Sequence, residues 1–261
     1  MAPSVDPALI EALNLDPGTA RISKHGGGGV FRQDGRGADA EVMFKGEHAS
    51  LNAIHSALAQ LHRTPAPVPD GQQRPSFGFP TTTCCGATAQ DNAWRDTWAA
   101  FYAENRLRGI LAECARRGQN DGPLDTAVNR VAAEVVPRLL GGLEEAGVVP
   151  VVVHGDLWSG NHGRGVIGGT GGVEEVVFDP SCVYGHSEYE LGIMKMFGGF
   201  GAAFWREYEE LVPRAEPVEE YEDRLRLYEL YHHLNHTALF GGGYRSSAMS
   251  IMEKLISKYG N

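Results

Sequence analysis

The 261-residue chain carries 33 acidic side chains against 23 lysines and arginines, a formal charge of −10. That balance argues against a polyanion-binding surface, so neither nucleic acid nor an anionic membrane is an expected partner. No apolar run approaches the roughly 20 residues a helix needs to cross a bilayer, and residues 1–16 show no basic segment followed by an apolar core, so no secretory leader is expected.

In chain order, residues 8–13 read as a short helix closed by Asp16-Pro17-Gly18. Gly26, Gly27, Gly28 and Gly29 follow, a run that suits either a loop approaching a phosphate closely or a flexible linker. Val30-Phe31-Arg32 is strand-like. Residues 42–57 have helical spacing through Met43, Leu51 and Ile54. A proline-rich loop spans 64–80. A helix over 92–116 is predicted from the apolar stripe Trp94, Trp98, Phe101, Ile110, Leu111 and Cys114. Pro123 suits the first turn of another helix, with Val128, Val131, Val135, Leu139 and Leu143 on one face. Further helices are expected over 188–197, 202–211, 221–239 and 246–259. The four cysteines, Cys84, Cys85, Cys114 and Cys182, include no C-x-x-C pair, so reduced thiols in a cytoplasmic protein are expected.

One stretch carries chemistry. The apolar run 148–153 reads as a buried strand and stops at His154-Gly155-Asp156-Leu157-Trp158-Ser159-Gly160-Asn161. A second apolar run, Val176-Val177-Phe178, ends at Asp179-Pro180. The D-x-x-x-x-N spacing of Asp156 and Asn161 is that of a phosphoryl-transfer loop. Two strands ending together would place Asp156 to orient a substrate hydroxyl, and Asn161 and Asp179 to hold Mg²⁺ against ATP phosphates. By spacing alone, the same residues also fit a turn, a cap and a strand-ending turn.

The full wording extends the argument. H-G-D-L-W-S-G-N, then D-P-S-x-x-Y-G-H-S-E-x-E-L and M-F-G-G-F, resembles the fructosamine-3-kinase/ketosamine-3-kinase family of aminoglycoside-phosphotransferase-like kinases. The likeness extends to F-K-G-E-H-A-S-L at 44–51, F-G-F at 77–79 with T-C-C-G at 83–86, and Leu234-Asn235-His236, and it spans most of 40–258. It implies an α+β, protein-kinase-like fold: a reduced β-containing nucleotide lobe over 1–56 and a helical catalytic and substrate lobe over 57–261. It implies ATP-dependent phosphorylation of the sugar O3 hydroxyl of ketosamines, free or on glycated protein, leading to deglycation.

Residue by residue, the resemblance makes Asp156 the catalytic carboxylate and Asn161 and Asp179 the Mg²⁺ ligands. The glycines at 26–29 would cover ATP, with Glu47 as the helix glutamate that braces an ATP lysine. Arg32 stands roughly where that lysine belongs. Trp158 would wall a sugar ring, with core packing as the competing role. His186, Glu188 and His236 would touch the ketosamine or else make interhelical hydrogen bonds. His154 belongs to the same substrate-side set, and holding the loop through backbone hydrogen bonds suits it better than proton transfer. The strand carrying the ATP lysine and the hinge that contacts adenine are not recognisable, so a catalytically impaired kinase-like protein is the alternative reading.

Overall fold

A computed structural model describes residues 57–166 and 174–260. The helix expected at 8–13, Gly26 to Gly29, Arg32 and Glu47 lie outside them. The described residues of 57–162 and 177–260 form one compact unit, and the short stretches 163–166 and 174–176 belong to a second.

In the larger unit a helix α1, described from 57, ends at 63. A hairpin of β1 (Thr83–Cys85) and β2 (Thr88–Gln90) follows. Helix α2 runs over 98–116 with a π-helical stretch, Tyr102–Arg108, in its middle. It starts six residues later than the apolar stripe suggests. The Thr97 side chain accepts the Ala100 N–H and caps the helix, while Arg95 just before it is held extended by paired backbone bonds to Phe77. Trp94 therefore lies outside the helix. Helix α3 runs over 122–140, capped by Asp121 at the Leu124 N–H and with Pro123 in its first turn.

Strand β3 (Val151–Val153) then leads into the D-x-x-x-x-N loop. Its antiparallel partner is β6 (Val183–Gly185), a three-residue strand that sequence did not suggest. The apolar run around Val176 forms β5 (Glu174–Val177), which pairs with β4 (His162–Gly165) rather than with β3. The reason is the turn at Asp179-Pro180: beyond it, Ser181 N–H donates to His154 O at 2.8 Å and zips the next residues against β3.

Helices α4 (Glu188–Phe197), α5 (Ala202–Leu211), α6 (Tyr221–Phe240) and α7 (Gly243–Tyr259) complete the unit, close to the expected bounds. The core is rich in aromatic rings: Trp98, Tyr102, Tyr189, Tyr228 and Tyr231 are fully buried and in mutual ring contact. Burying a large apolar side chain stabilises by about 1.5–3 kcal/mol. Several of their polar ends are paired, with Trp98 Nε1 donating to Tyr228 Oη at 2.9 Å and Gln90 Nε2 to Tyr231 Oη at 2.7 Å.

Helices α4 and α6 approach closely at Gly192, where a Cβ would lie 2.8 Å from the Glu229 amide nitrogen and the Tyr228 carbonyl carbon. Backbone cannot yield there as a flexible side chain can. Gly192→Ala should therefore cost about 1–3 kcal/mol of stability, the usual range for overpacking, read as a lower urea midpoint. An unchanged midpoint contradicts this account of the α4–α6 contact.

Candidate active site

The loop after β3 is organised by a side chain that lies on another element. Glu190, in the first turn of α4, is fully buried, and its carboxylate accepts the backbone N–H groups of His154, Gly155 (3.0 Å) and Leu157 (3.3 Å). Burial alone would raise the Glu190 carboxyl. The nearby His62 and His154 rings and the Gly155 N–H outweigh it and hold the group below the ordinary carboxylate range. His62 Nε2 stands 3.8 Å away, an ion-pair distance rather than a hydrogen bond, while its Nδ1 meets Tyr208 Oη at 2.8 Å.

Gly155 makes the loop sterically feasible. It sits at φ +79°, and a Cβ there would lie 2.4 Å from the Ser181 carbonyl oxygen. His154 contributes both ring nitrogens to the backbone: Nδ1 accepts the Asp156 N–H at 3.3 Å, and Nε2 donates to Phe178 O at 2.9 Å. Both ring nitrogens are thus engaged by backbone, a loop-holding placement rather than a ligand-facing one. It ties Asp156 to the segment carrying Asp179.

Asn161 completes the turn. Its Nδ2 donates to the Asp156 carbonyl at 2.8 Å and to Asp156 Oδ2 at 3.2 Å, which leaves its Oδ1 as the acceptor end. Phe178 N–H donates to Asn161 O at 3.1 Å, placing Asp179 beside the loop. Asp179 is exposed and adopts φ +56°, the only non-glycine residue at positive φ among the described residues. Aspartate tolerates that region better than most residues, and strain of this kind gathers at functional sites. Asp156 itself is partly buried. Burial first, then repulsion from Glu190, raises its carboxyl to about 6, against the lowering effect of the Asn161 and Cys85 contacts.

Behind Asp156 stand residues that sequence reading did not single out as functional. The Cys85 thiol, at the end of β1, and the ring of His232, on α6, each bring a donor atom within 4.8 Å of the Asp156 carboxylate and of each other. Asn235 Nδ2 braces this corner by donating to Cys85 O at 3.2 Å and to its Sγ at 3.3 Å. The T-C-C-G and L-N-H wording marked both places, but nothing in the sequence joins residues about 150 positions apart.

In front, Trp158 is half-buried. Its ring lies where a Cβ on Gly160 would fall, and it packs on Phe197 at 5.4 Å between centroids. His236 also contacts Phe197, at 5.3 Å, and Tyr244 at 4.9 Å, so Trp158 and His236 belong to one aromatic strip. His236 Nδ1 donates to His232 O at 2.8 Å, which leaves Nε2 as an acceptor.

His186 and Glu188 take the second of the two roles open to them, interhelical bonding. His186 is buried, and its Nδ1 accepts from Tyr228 Oη at 2.9 Å; burial pushes its pKa down to about 4, consistent with a neutral ring. Glu188 is buried in a bidentate pair with Arg224, at 2.7 and 3.1 Å, and accepts the Ala215 N–H. Both carry interhelical contacts. The carboxylate of this helix turn that meets the loop is Glu190, two residues on.

Residues 39–258 match the family model described as fructosamine kinase. The chain belongs to the fructosamine kinase family. It is 38% identical to mouse ketosamine-3-kinase over 179 residues, covering 69% of this chain and 53% of that one. It is 41% identical over 212 residues to a Synechocystis protein described as a probable ketoamine kinase, covering 81% and 64%. It is 35% identical over 257 residues to Arabidopsis chloroplastic protein-ribulosamine 3-kinase, covering 96% and 73%. The solved structure of a provisional fructosamine-3-kinase from Thermobifida fusca superposes with a TM-score of 0.60 at 28% identity, over 80% of this chain and 65% of that one. The fold is therefore the α+β, kinase-like fold of that family. The chain spans 53% and 64% of the lengths of the mouse and Synechocystis relatives. No helix among the described residues is long and apolar enough to cross a membrane.

The raised Asp156 carboxyl has a thermodynamic consequence. It titrates near 6 when folded, against about 3.9 in an unfolded chain, so the native state binds that proton more tightly. Wild type therefore loses stability from this group as pH rises from about 4 to about 6. Asp156→Asn removes the loss: in EDTA its Tm at pH 8 should equal or exceed that of wild type, with the gap narrowing below pH 6. A lower Tm at pH 8 contradicts the assignment.

Proposed function

We propose that this fructosamine kinase family member transfers the γ-phosphoryl group of ATP to the O3 hydroxyl of a ketosamine, a fructosamine or ribulosamine adduct free or on protein, leading to deglycation. The observation that carries the reading is Asp156 fixed by Asn161 at 2.8 and 3.2 Å, in the loop that Phe178 N–H joins to Asp179. A carboxylate held this way accepts a hydrogen bond from the attacking hydroxyl and keeps it in line, so that positioning lowers the barrier. The names of the mouse and Arabidopsis relatives support ketosamines as the substrate class.

The donor set fits Mg²⁺. Asn161 keeps its amide oxygen as the acceptor end, and Asp179 presents an exposed carboxylate, both hard oxygen donors of the kind the ion prefers. Bound there with ATP, the ion would neutralise phosphate charge. The aromatic strip of Trp158, Phe197 and His236 supports a sugar-side wall. Apolar ring faces pack against C–H surfaces of a sugar, and His236 Nε2 can accept from a hydroxyl or amine.

Asp156→Asn should reduce turnover below a tenth of wild type with native circular dichroism; more residual activity removes the proposed role. Asn161→Ala and Asp179→Ala should each raise the Mg²⁺ requirement, with Asp179→Ala the more severe because it removes a charged ligand. Turnover independent of divalent metal contradicts this reading.

A second reading rests on the sequence itself, in which neither the strand carrying an ATP lysine nor an adenine-contacting hinge is recognisable. On that reading the chain as written binds ATP weakly and turns over poorly, despite a complete catalytic loop. Calorimetric titration with Mg·ATP separates the two: micromolar affinity supports an active kinase, and millimolar affinity supports an impaired one.

A further inference from the structure

We propose that Cys85, Asp156 and His232 form a capture site for a thiophilic divalent cation, Zn²⁺ by its chemistry, which takes the catalytic carboxylate out of service. One thiol sulfur, one carboxylate oxygen and one imidazole nitrogen lie within 4.8 Å of one another. In a tetrahedral zinc site, bonds of about 2.0–2.3 Å put neighbouring donors roughly 3.3–3.8 Å apart, so small side-chain rotations close this set.

A second observation points the same way. His232 is fully buried, and neither ring nitrogen has a hydrogen-bond partner among the described residues. Leaving a buried polar atom unsatisfied costs about 1–3 kcal/mol, and a cation on one nitrogen would recover part of that. The ring is held for the purpose, stacked on Tyr189 at 5.9 Å and edge-on to Tyr231 at 5.2 Å. Buried Arg106 is the opposing charge. Its guanidinium is engaged by Asp91 O and Asn92 Oδ1, both at 2.8 Å, and its field also favours a thiolate on Cys85.

Donor chemistry separates this site from the Mg²⁺ ligands. Sulfur and imidazole select zinc-like ions, whereas Asn161 and Asp179 offer only oxygen. Three protein ligands leave a fourth position, on the partly exposed Asp156 side, for water. On binding, Cys85 releases its S–H proton to solvent as the metal–thiolate bond forms, and no electron is transferred. Burial raises the thiol, so binding tightens as pH rises.

Co²⁺ titration of the full chain, without ATP or ketosamine, tests the site spectroscopically. One equivalent of Co²⁺ should produce a thiolate-to-metal charge-transfer band that Zn²⁺ abolishes by displacement. The band should vanish in Cys85→Ser, and its Co²⁺ affinity should fall at least tenfold in His232→Phe and in Asp156→Asn. It should persist in Cys84→Ser and Asn161→Ala. Absence of the band in wild type, its survival in Cys85→Ser, or wild-type affinity in His232→Phe overturns the proposal. Should Cys85→Ser fail to fold by circular dichroism, His232→Phe decides alone. The titration involves no phosphoryl transfer, so its failure leaves the proposed kinase activity untouched, and the reverse also holds.

Discussion

The site depends on one buried carboxylate. Glu190 lies inside the protein with no exposed surface and gathers three loop amides, those of His154, Gly155 and Leu157. Hydrogen bonds to a charged acceptor contribute about 1.5–3 kcal/mol each, and stripping a buried charge of its partners costs about 3–5 kcal/mol. Loop and helix are thus each unfavourable without the other. Position follows from the same contact. Glu190 is placed by α4, which is seated on α6 at Gly192, so the geometry of a loop is inherited from a helix–helix interface.

The arrangement has an electrostatic cost that falls on Asp156, the proposed catalytic carboxylate. Glu190 lies close enough to Asp156 to raise its carboxyl, and Asp179 adds to the effect. A carboxylate near 6 is a better proton acceptor than an ordinary aspartate while remaining mostly ionised at neutral pH. Asn161 and the Cys85 thiol oppose the rise. The loop therefore balances two like charges, with Glu190 held deeper and lower than Asp156.

What sequence revealed and what it concealed follow from distance along the chain. Asp156, Asn161 and Asp179 were legible because their spacing behind apolar runs is a local property. Helices α4 and α5 were legible because amphipathic periodicity is local too. The partner of β3 was not: β6 is three residues long, too short for any periodic signal. The choice between Glu188 and Glu190 was equally closed to pattern reading, since one faces Arg224 and the other the loop only once the helices are packed. Pattern alone also left His186 open between ketosamine contact and interhelical bonding, and only packing shows it facing Tyr228 in the interior. Cys85 and His232 met Asp156 through tertiary folding alone.

The central claim is that the Glu190 carboxylate, and not its volume, sets the loop. Amide hydrogen exchange of Glu190→Gln against wild type, followed by mass spectrometry on peptides covering 154–157, tests it directly. The isosteric amide keeps the packing but replaces one acceptor oxygen with a donor facing the loop N–H groups. The account predicts at least tenfold faster exchange of these amides, with peptides from α7 unchanged. Equal protection of 154–157 in the two proteins would contradict it.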